Sequence, residues 1–133
     1  MMMEPKYIHF KEFADGRGGL VALEQNQNIP FEIKRVYYIY GTPENTRRGF
    51  HAHKDLEQVA ICVKGACSFL LDDGREKIEC RLDSPATGLL IDRMLWHEMY
   101  DFTDDCVLMV LASGLYDEAD YIRGYGQFLK AIN

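Results

Sequence analysis

Short apolar segments separated by turn residues run along most of the chain. In each segment the hydrophobic residues alternate with polar ones or form a continuous run, as in β-strands. Val, Ile, Tyr, Phe and Leu dominate, and these residues favour a pleated, half-buried surface. Strands are predicted at residues 20–24, 34–40, 57–63, 67–73, 76–82, 87–92 and 106–113. So many evenly spaced strands predict an all-β sandwich or jelly roll.

Turn residues fit this arrangement. Asp73-Gly74 can supply the positive φ of a tight hairpin, Lys64-Gly65 predicts another turn, and residues 41–43 predict a longer loop. The spacing of the apolar residues changes only in the C-terminal tail. There they recur at helical spacing, at Tyr121, Ile122, Tyr125, Phe128, Leu129 and Ile132. Three acidic residues precede them, and Gly124 and Gly126 favour a turn followed by a short helix.

Length and charge narrow the function classes. The 133 residues suffice for a single domain spanning 1–133, and the net charge of −6 argues against general nucleic-acid binding. We find neither a signal peptide nor an apolar run near the roughly 20 residues that cross a bilayer, so no membrane partner is expected. The cysteines contain no CxxC pair, and Cys62, Cys67 and Cys106 lie in apolar runs. A reduced, cytoplasmic protein is predicted.

The segment RRGFHAHKDLE, residues 47–57, carries the strongest chemical signal. If it is extended, His51 and His53 project from one face with Cα atoms roughly 6.5 Å apart. Two incidental histidines on an exposed strand are the simplest alternative. The adjacent Gly49 and the arginine pair favour a functional site.

A metal site is one interpretation of these histidines. His51, His53, Glu57 and the distant His97 are ligand types that suit a transition metal, and the His-x-His-x3-Glu spacing resembles the cupin metal motif. The Pro-x-Gly that normally precedes the last histidine is replaced by residues 92–94, and Glu57 could equally be an edge residue.

Metal-free acid–base catalysis is the other interpretation. A histidine pair can pass protons in both directions near neutral pH. Cationic side chains could hold a diphosphate or another anion, and the candidates are Arg17, Arg47, Arg48 and Lys54. Tyr37, Tyr38 and Tyr121, which precedes Arg123, could stack on a base or supply a hydroxyl proton.

Several longer segments carry a family resemblance. IPFEIKRVYYIY, RGFHAHKDLEQVAICVKG, LDSPATGLLI, WHEMYDFTDDCVLMVLAS and YDEADYIRGY together resemble the sugar 3,4-ketoisomerases, over about residues 10–125. These enzymes act on dTDP-4-keto-6-deoxyglucose on the route to 3-amino-3,6-dideoxyhexoses of surface polysaccharides. RGFH also resembles RGLH of the deoxysugar 3,5-epimerases, but HAHK and DYIR fit the ketoisomerases better.

The resemblance implies a cupin-type jelly roll without metal or other cofactor, and a homodimer that exchanges N-terminal strands. It implies that His51 is the carbon base, that His53 moves a proton between oxygens, and that Arg48 anchors the nucleotide phosphates. The remaining residues expected at the substrate are Arg17, Tyr38, Lys54, His97, Tyr121 and Arg123. Arg17 and His97 further suggest a product with the galacto configuration at C4. A metal-dependent cupin enzyme and a non-catalytic sugar-binding cupin are the alternatives from other classes.

Overall fold

The computed structural model describes residues 3–133. Within this range the chain forms twelve strands and one α-helix: β1 Lys6–His9, β2 Phe13–Asp15, β3 Gly18–Leu20, β4 Arg35–Tyr40, β5 Arg48–His53, β6 Gln58–Lys64, β7 Cys67–Asp72, β8 Lys77–Leu82, β9 Thr87–Ile91, β10 Trp96–Tyr100, β11 Val107–Ala112, β12 Tyr121–Ile122 and α1 Tyr125–Ala131. The fold is therefore almost entirely β, as the alternating pattern predicts.

Two five-stranded sheets form the body of the molecule. Their strand orders are β1-β9-β6-β11-β4 and β12-β5-β10-β7-β8, and neighbouring strands are antiparallel. Consecutive strands β5, β6 and β7 alternate between the sheets, as in a jelly roll. The short hairpin of β2 and β3 stands apart as a third sheet. The predicted jelly roll is confirmed.

The core lies between the two sheets. It combines residues of the first sheet, such as Ala60, Leu89 and Leu108, with Phe69 and Leu71 of the second. Cys62, Cys67 and Cys106 are buried in the same cluster as free thiols, with Sγ–Sγ distances of 3.5 Å and 3.7 Å from Cys62. They pack as small hydrophobic residues, as their positions in apolar strands predict.

Six of the seven predicted strands agree with the structure to within one residue at each end. The strand at 20–24 was wrong, because only Leu20 is in a strand, and it pairs with Phe13 in the β2–β3 hairpin. Val21 and Leu23 instead pack as loop residues against a core cluster near Phe10. The turn at Asp73-Gly74 is confirmed, with Gly74 at φ +93° between β7 and β8.

The C-terminal tail differs from a continuous helix. Asp117 caps a 3-10 turn over Glu118–Asp120 by accepting a hydrogen bond from the Ala119 amide. Tyr121 and Ile122, which fit the helical period, form β12 instead and pair with β5. The helix α1 follows, burying Phe128 against Trp96. No helix within residues 3–133 is long and apolar enough to cross a membrane.

Candidate active site

A β-bulge in β5 shapes the site. His51 lies opposite His97 of β10, but the next paired residue of β5 is Gly49, so that Phe50 is the extra residue. Gly49 and Phe50 both have positive φ, at 94° and 60°. The bulge bends β5 immediately before the histidine pair and brings His51 beside His97.

The three histidines form one cluster on the inner face of the second sheet. The ring centroids lie 4.9 Å apart for His51 and His53, 4.5 Å for His51 and His97, and 6.1 Å for His53 and His97. One ring nitrogen from each lies within 4.8 Å of the others. His53 and His97 are buried and His51 is half-buried. His51 is therefore the most accessible of the three to a ligand.

Hydrogen bonds fix the tautomer of each ring. Nδ1 of His51 lies 3.0 Å from the Gly49 carbonyl oxygen, and Nδ1 of His97 lies 3.1 Å from that of Leu95. A carbonyl only accepts, so both Nδ1 atoms carry the proton and donate. Nδ1 of His53 donates to Oδ2 of Asp120 at 3.0 Å. In the neutral rings every Nε2 therefore keeps a lone pair for acid–base chemistry.

Burial keeps the cluster neutral near pH 7. The pKa of each histidine is lowered, and desolvation by burial is the largest cause for all three. The pKa of His51 falls below its ordinary 6.5. Desolvation and then the nearby His51 lower the pKa of His53 to about 4 and that of His97 to about 3. A neutral imidazole with a free Nε2 can act as a base without first losing a proton.

Asp120, at the end of the 3-10 turn, and Tyr121, at the start of β12, both contact the histidines. Asp120 accepts from the Asp55 amide at 2.8 Å through its other oxygen, so both of its carboxylate oxygens are fixed. The Tyr121 ring packs 4.4 Å from His53 and 4.9 Å from His51. Asp120 was not predicted as a site residue, because its acidic neighbours indicated the start of a helix rather than a partner for a histidine.

A cavity of about 290 Å³ opens beside His51. Its wall combines β4 and β5 with the C-terminal turn and consists of Arg35, Tyr37, Ile39, Arg48, Gly49, His51, Met99, Tyr121 and Arg123. Arg123 packs over the Tyr121 ring at 4.1 Å and pairs with Glu118. A set of basic and aromatic groups beside a neutral imidazole can bind an anionic ligand and move its protons.

Comparison with known proteins identifies the family. The family model described as FdtA: WxcM-like, C-terminal, matches residues 3–133. The TDP-4-oxo-6-deoxy-alpha-D-glucose-3,4-oxoisomerase of Aneurinibacillus thermoaerophilus is 59% identical over 130 residues, which are 98% of this chain and 94% of that protein. The chain belongs to the sugar 3,4-ketoisomerases.

Solved ketoisomerase structures share the fold over nearly the whole chain. A 3,4-ketoisomerase from Helicobacter canadensis is 46% identical, with a TM-score of 0.94 over 98% of both chains. A histidine-to-asparagine mutant of the 3,4-ketoisomerase QdtA from Thermoanaerobacterium thermosaccharolyticum, in complex with TDP-4-keto-6-deoxyglucose, is 43% identical. Its TM-score is 0.96, over 99% of this chain and 96% of that one. Family membership favours a ketoisomerase over the epimerase and over a non-catalytic sugar-binding protein.

Not every residue expected at the substrate lies in the cavity of this ketoisomerase. Tyr38 is 64% exposed on the outer side of β4, and its neighbour Tyr37 lines the cavity instead. The side chain of Lys54 is exposed and does not line the cavity. Arg17 is paired with Asp15 on the exposed β2–β3 hairpin. Arg17 therefore lies outside the cavity wall.

The three histidines could hold a transition metal through three imidazole nitrogens. Glu57 does not belong to the group of potential ligands found within residues 3–133. The backbone of Glu57 is instead bonded to Ser113, since its amide donates to the Ser113 hydroxyl and its carbonyl accepts from the Ser113 amide. The four-residue metal set of the cupin motif is therefore not assembled, although three of its members are.

The buried histidines should make the ketoisomerase unstable in acid. Below pH 6.5 the unfolded chain binds protons at His53 and His97, whereas the folded chain does so only near pH 4 and pH 3. The free energy of unfolding should therefore fall as the pH falls from 6.5 towards 4, by about 1.4 kcal/mol per pH unit for each histidine. Urea denaturation at pH 6.5, 5.5 and 4.5 measures this slope. His97→Gln should make it shallower, and an unchanged slope would contradict the assignment.

Proposed function

We propose that this enzyme converts dTDP-4-keto-6-deoxyglucose to the 3-keto isomer through an enediolate. The observation that carries the proposal is the group of three neutral histidines with free Nε2 atoms, His51 beside a cavity lined by arginines. The relatives support the substrate, since one is named for this 3,4-oxoisomerase activity and another is solved with TDP-4-keto-6-deoxyglucose.

The first step is removal of the C3 proton, which the C4 ketone acidifies. His51 is the base, because its Nδ1 proton is held by Gly49 and its half-buried ring lines the cavity. The electron pair of the C3–H bond forms the C3–C4 double bond, and the carbonyl pair moves to the C4 oxygen. The product of this step is an enediolate and a protonated His51.

The second step moves the remaining protons. His53 takes the proton of the C3 hydroxyl and gives it to the C4 oxygen, so the negative charge passes to the C3 oxygen. That charge collapses to the C3 ketone as C4 takes up the proton carried by His51, which returns His51 to its neutral starting state. The net reaction is an isomerisation and needs no redox cofactor. The Asp120–His53 hydrogen bond holds the ring in the tautomer that this transfer requires.

Arginines meet the anionic part of the substrate. Arg48 is exposed at the cavity rim and is placed for the diphosphate. Tyr121 and Arg123 line the inner wall beside His51 and are placed for the sugar. His97 was expected at the substrate, but it is buried and does not line the cavity. Its ring packs 4.5 Å from that of His51 and supports the ring that acts as the base.

The product configuration at C4 follows from the face that is protonated. We infer the galacto form, in which the C4 hydroxyl is axial, from the resemblance carried by Arg17 and His97. The 3-keto group is the type of centre at which an aminotransferase installs an amine, consistent with a route to 3-amino-3,6-dideoxy sugars. The NMR coupling constant between H4 and H5 of the product tests the configuration at C4. The galacto form has an equatorial H4 and should give a small coupling constant, whereas an axial H4 would give a large one.

A homodimer with exchanged N-terminal strands is supported by the exposed apolar surface of the chain. Phe13 and Leu20 of the hairpin are more than half exposed, as are Val36, Tyr38 and Tyr40 of the edge strand β4. In the single chain β1 pairs with its own β9, and an exchanged strand would make the same pairing with a partner. Light scattering should give a mass near twice 15.4 kDa.

Proton NMR of dTDP-4-keto-6-deoxyglucose with the enzyme in D2O tests the reaction. A 3-keto species should appear with deuterium at C4, and recovered substrate should carry deuterium at C3. No change over hours would overturn the proposed function. A chelator-treated sample should remain active, because coordination of the His51 Nε2 to a metal would remove the lone pair that takes the carbon proton. Activity that depends on near-stoichiometric metal would contradict this mechanism.

Asp120→Asn should reduce kcat by about 10- to 100-fold, the usual effect of removing a partner that orients a functional histidine. The amide still reaches His53, but it no longer favours the protonated Nδ1. The asparagine NH2 group can donate to Nδ1 of His53. The ring proton then lies on Nε2, which becomes a donor and loses its free lone pair. The pH dependence of kcat should change together with the rate. Asp117→Asn alters a nearby carboxylate that caps the 3-10 turn and should leave kcat within a factor of three. Equal effects of the two variants would contradict the role of Asp120.

A further inference from the structure

Arg35 is a partly buried cation without a counterion. Its Nε atom is buried and makes no hydrogen bond, and among residues 3–133 no carboxylate forms an ion pair with it. A buried charge that lacks a partner is costly, so such groups are expected where a ligand supplies the missing charge.

Two other arginines near the cavity are already neutralised, whereas Arg48 on the exposed rim forms no ion pair with a carboxylate among residues 3–133. Arg123 is paired with Glu118 and Arg47 with Glu98, both at 2.7 Å. The guanidinium of Arg35 lies over two aromatic rings, those of Tyr37 at 5.4 Å and Tyr116 at 5.8 Å. These rings stack beside the cation but leave its N–H donors without an acceptor.

Arg35 lies in the wall of the same cavity as the proposed base. It begins β4, on the same inward side as Tyr37 and Ile39, and it lines the cavity together with His51 and Tyr121. The pKa of His53 is lowered chiefly by desolvation and then by the nearby His51. The positive charge of Arg35 lowers it further. Arg48 lies on the exposed rim by comparison.

We propose that Arg35 is a further catalytic residue, which donates hydrogen bonds to the oxygens of the enediolate. This inference rests on the proposed function. The substrate ketone is neutral and the intermediate carries a full negative charge, so a fixed cation in a partly desolvated cavity stabilises the intermediate more than the substrate. The charge passes from the C4 oxygen to the C3 oxygen during the reaction. A planar guanidinium can contact two adjacent oxygens at once.

Arg35→Gln and Arg35→Lys test the role, with kcat measured on the keto sugar and Kd measured for TDP alone by calorimetry. The Gln variant should lose about 10²- to 10³-fold in kcat, as for removal of an oxyanion donor, while Kd for TDP stays within threefold. The Lys variant should recover part of the rate because it restores the charge. Arg48→Gln should show the opposite pattern, with weaker TDP binding and a smaller change in kcat.

Arg75→Gln is the matched control, since Arg75 is exposed in the β7–β8 turn and its loss changes the net charge equally. A kcat within threefold of wild type in Arg35→Gln would overturn the inference. So would a tenfold rise in the Kd for TDP with little change in kcat, which would make Arg35 a phosphate ligand. Failure of the wild-type enzyme to convert the keto sugar would instead contradict the proposed function itself.

Discussion

His51→Asn is expected to lower turnover of the keto sugar by about 10³- to 10⁴-fold, the upper range for loss of a general base. Asparagine keeps the approximate size and polarity of the side chain but offers no lone pair basic enough to remove a carbon proton. Binding should survive, because the charged groups expected to hold the nucleotide lie elsewhere in the cavity. Kinetics on the keto sugar and calorimetry with TDP measure the two quantities separately.

His9→Asn controls for the loss of an imidazole, because His9 is exposed on β1, outside the histidine cluster. It should leave both rate and affinity within a factor of two or three. Deuterium incorporation at C3 should disappear in His51→Asn but persist at a reduced level in His53→Asn, because the proposed role of His53 is proton transfer between oxygens. If His51→Asn turned over within tenfold of wild type, His51 would not be the base.

Much of the fold follows from local chemistry that is visible in the sequence. Segments such as 67–73 and 106–113 alternate or run apolar because they are covered on one or both faces, and this pattern identifies a strand without knowledge of its partners. β10 was missed because Trp96–Tyr100 follows a polar turn and its apolar residues are interrupted by His97 and Glu98. Residues 20–24 carry the alternation of a strand, yet they pack as a loop, because apolar spacing reports burial and not hydrogen bonding.

The part of the candidate site that depends only on local sequence could also be predicted. His51 and His53 share a face whenever the segment is extended, so their proximity follows from two-residue spacing. The partners of these histidines depend on contacts between distant elements. Asp120 reaches His53 across 67 residues of sequence, and Arg35 becomes significant only when the structure shows that it has no counterion. Tyr37 and Tyr38 differ only in the side of β4 to which they point, which depends on the register with β11.

Gly49→Ala is the second change with a large expected effect. Gly49 has φ +94°, a conformation that costs an alanine about 1–3 kcal/mol. A Cβ there would also lie 2.8 Å from the His97 carbonyl oxygen and 3.2 Å from the Glu98 Cα. Both are backbone atoms of β10, so the contact is relieved only by separating β5 from β10. We expect a loss of about 2–4 kcal/mol in the free energy of unfolding, measured by urea denaturation.

Activity should fall with stability in Gly49→Ala, because the displaced segment carries His51, the proposed base. The Gly49 carbonyl accepts the Nδ1 proton of His51, so its movement disturbs both the position and the tautomer of the base. A decrease in kcat of at least about 10²-fold is expected, the effect of roughly 1 Å of misplacement at a reacting group.

Gly126→Ala is a control that should change stability in the opposite direction, since no heavy atom lies within 4 Å of its added Cβ and the residue is in α1. That variant should be up to about 1 kcal/mol more stable and fully active. A Gly49→Ala protein as stable and active as wild type would mean that β5 and β10 tolerate a side chain at the bulge, and the bulge would then not be what positions His51.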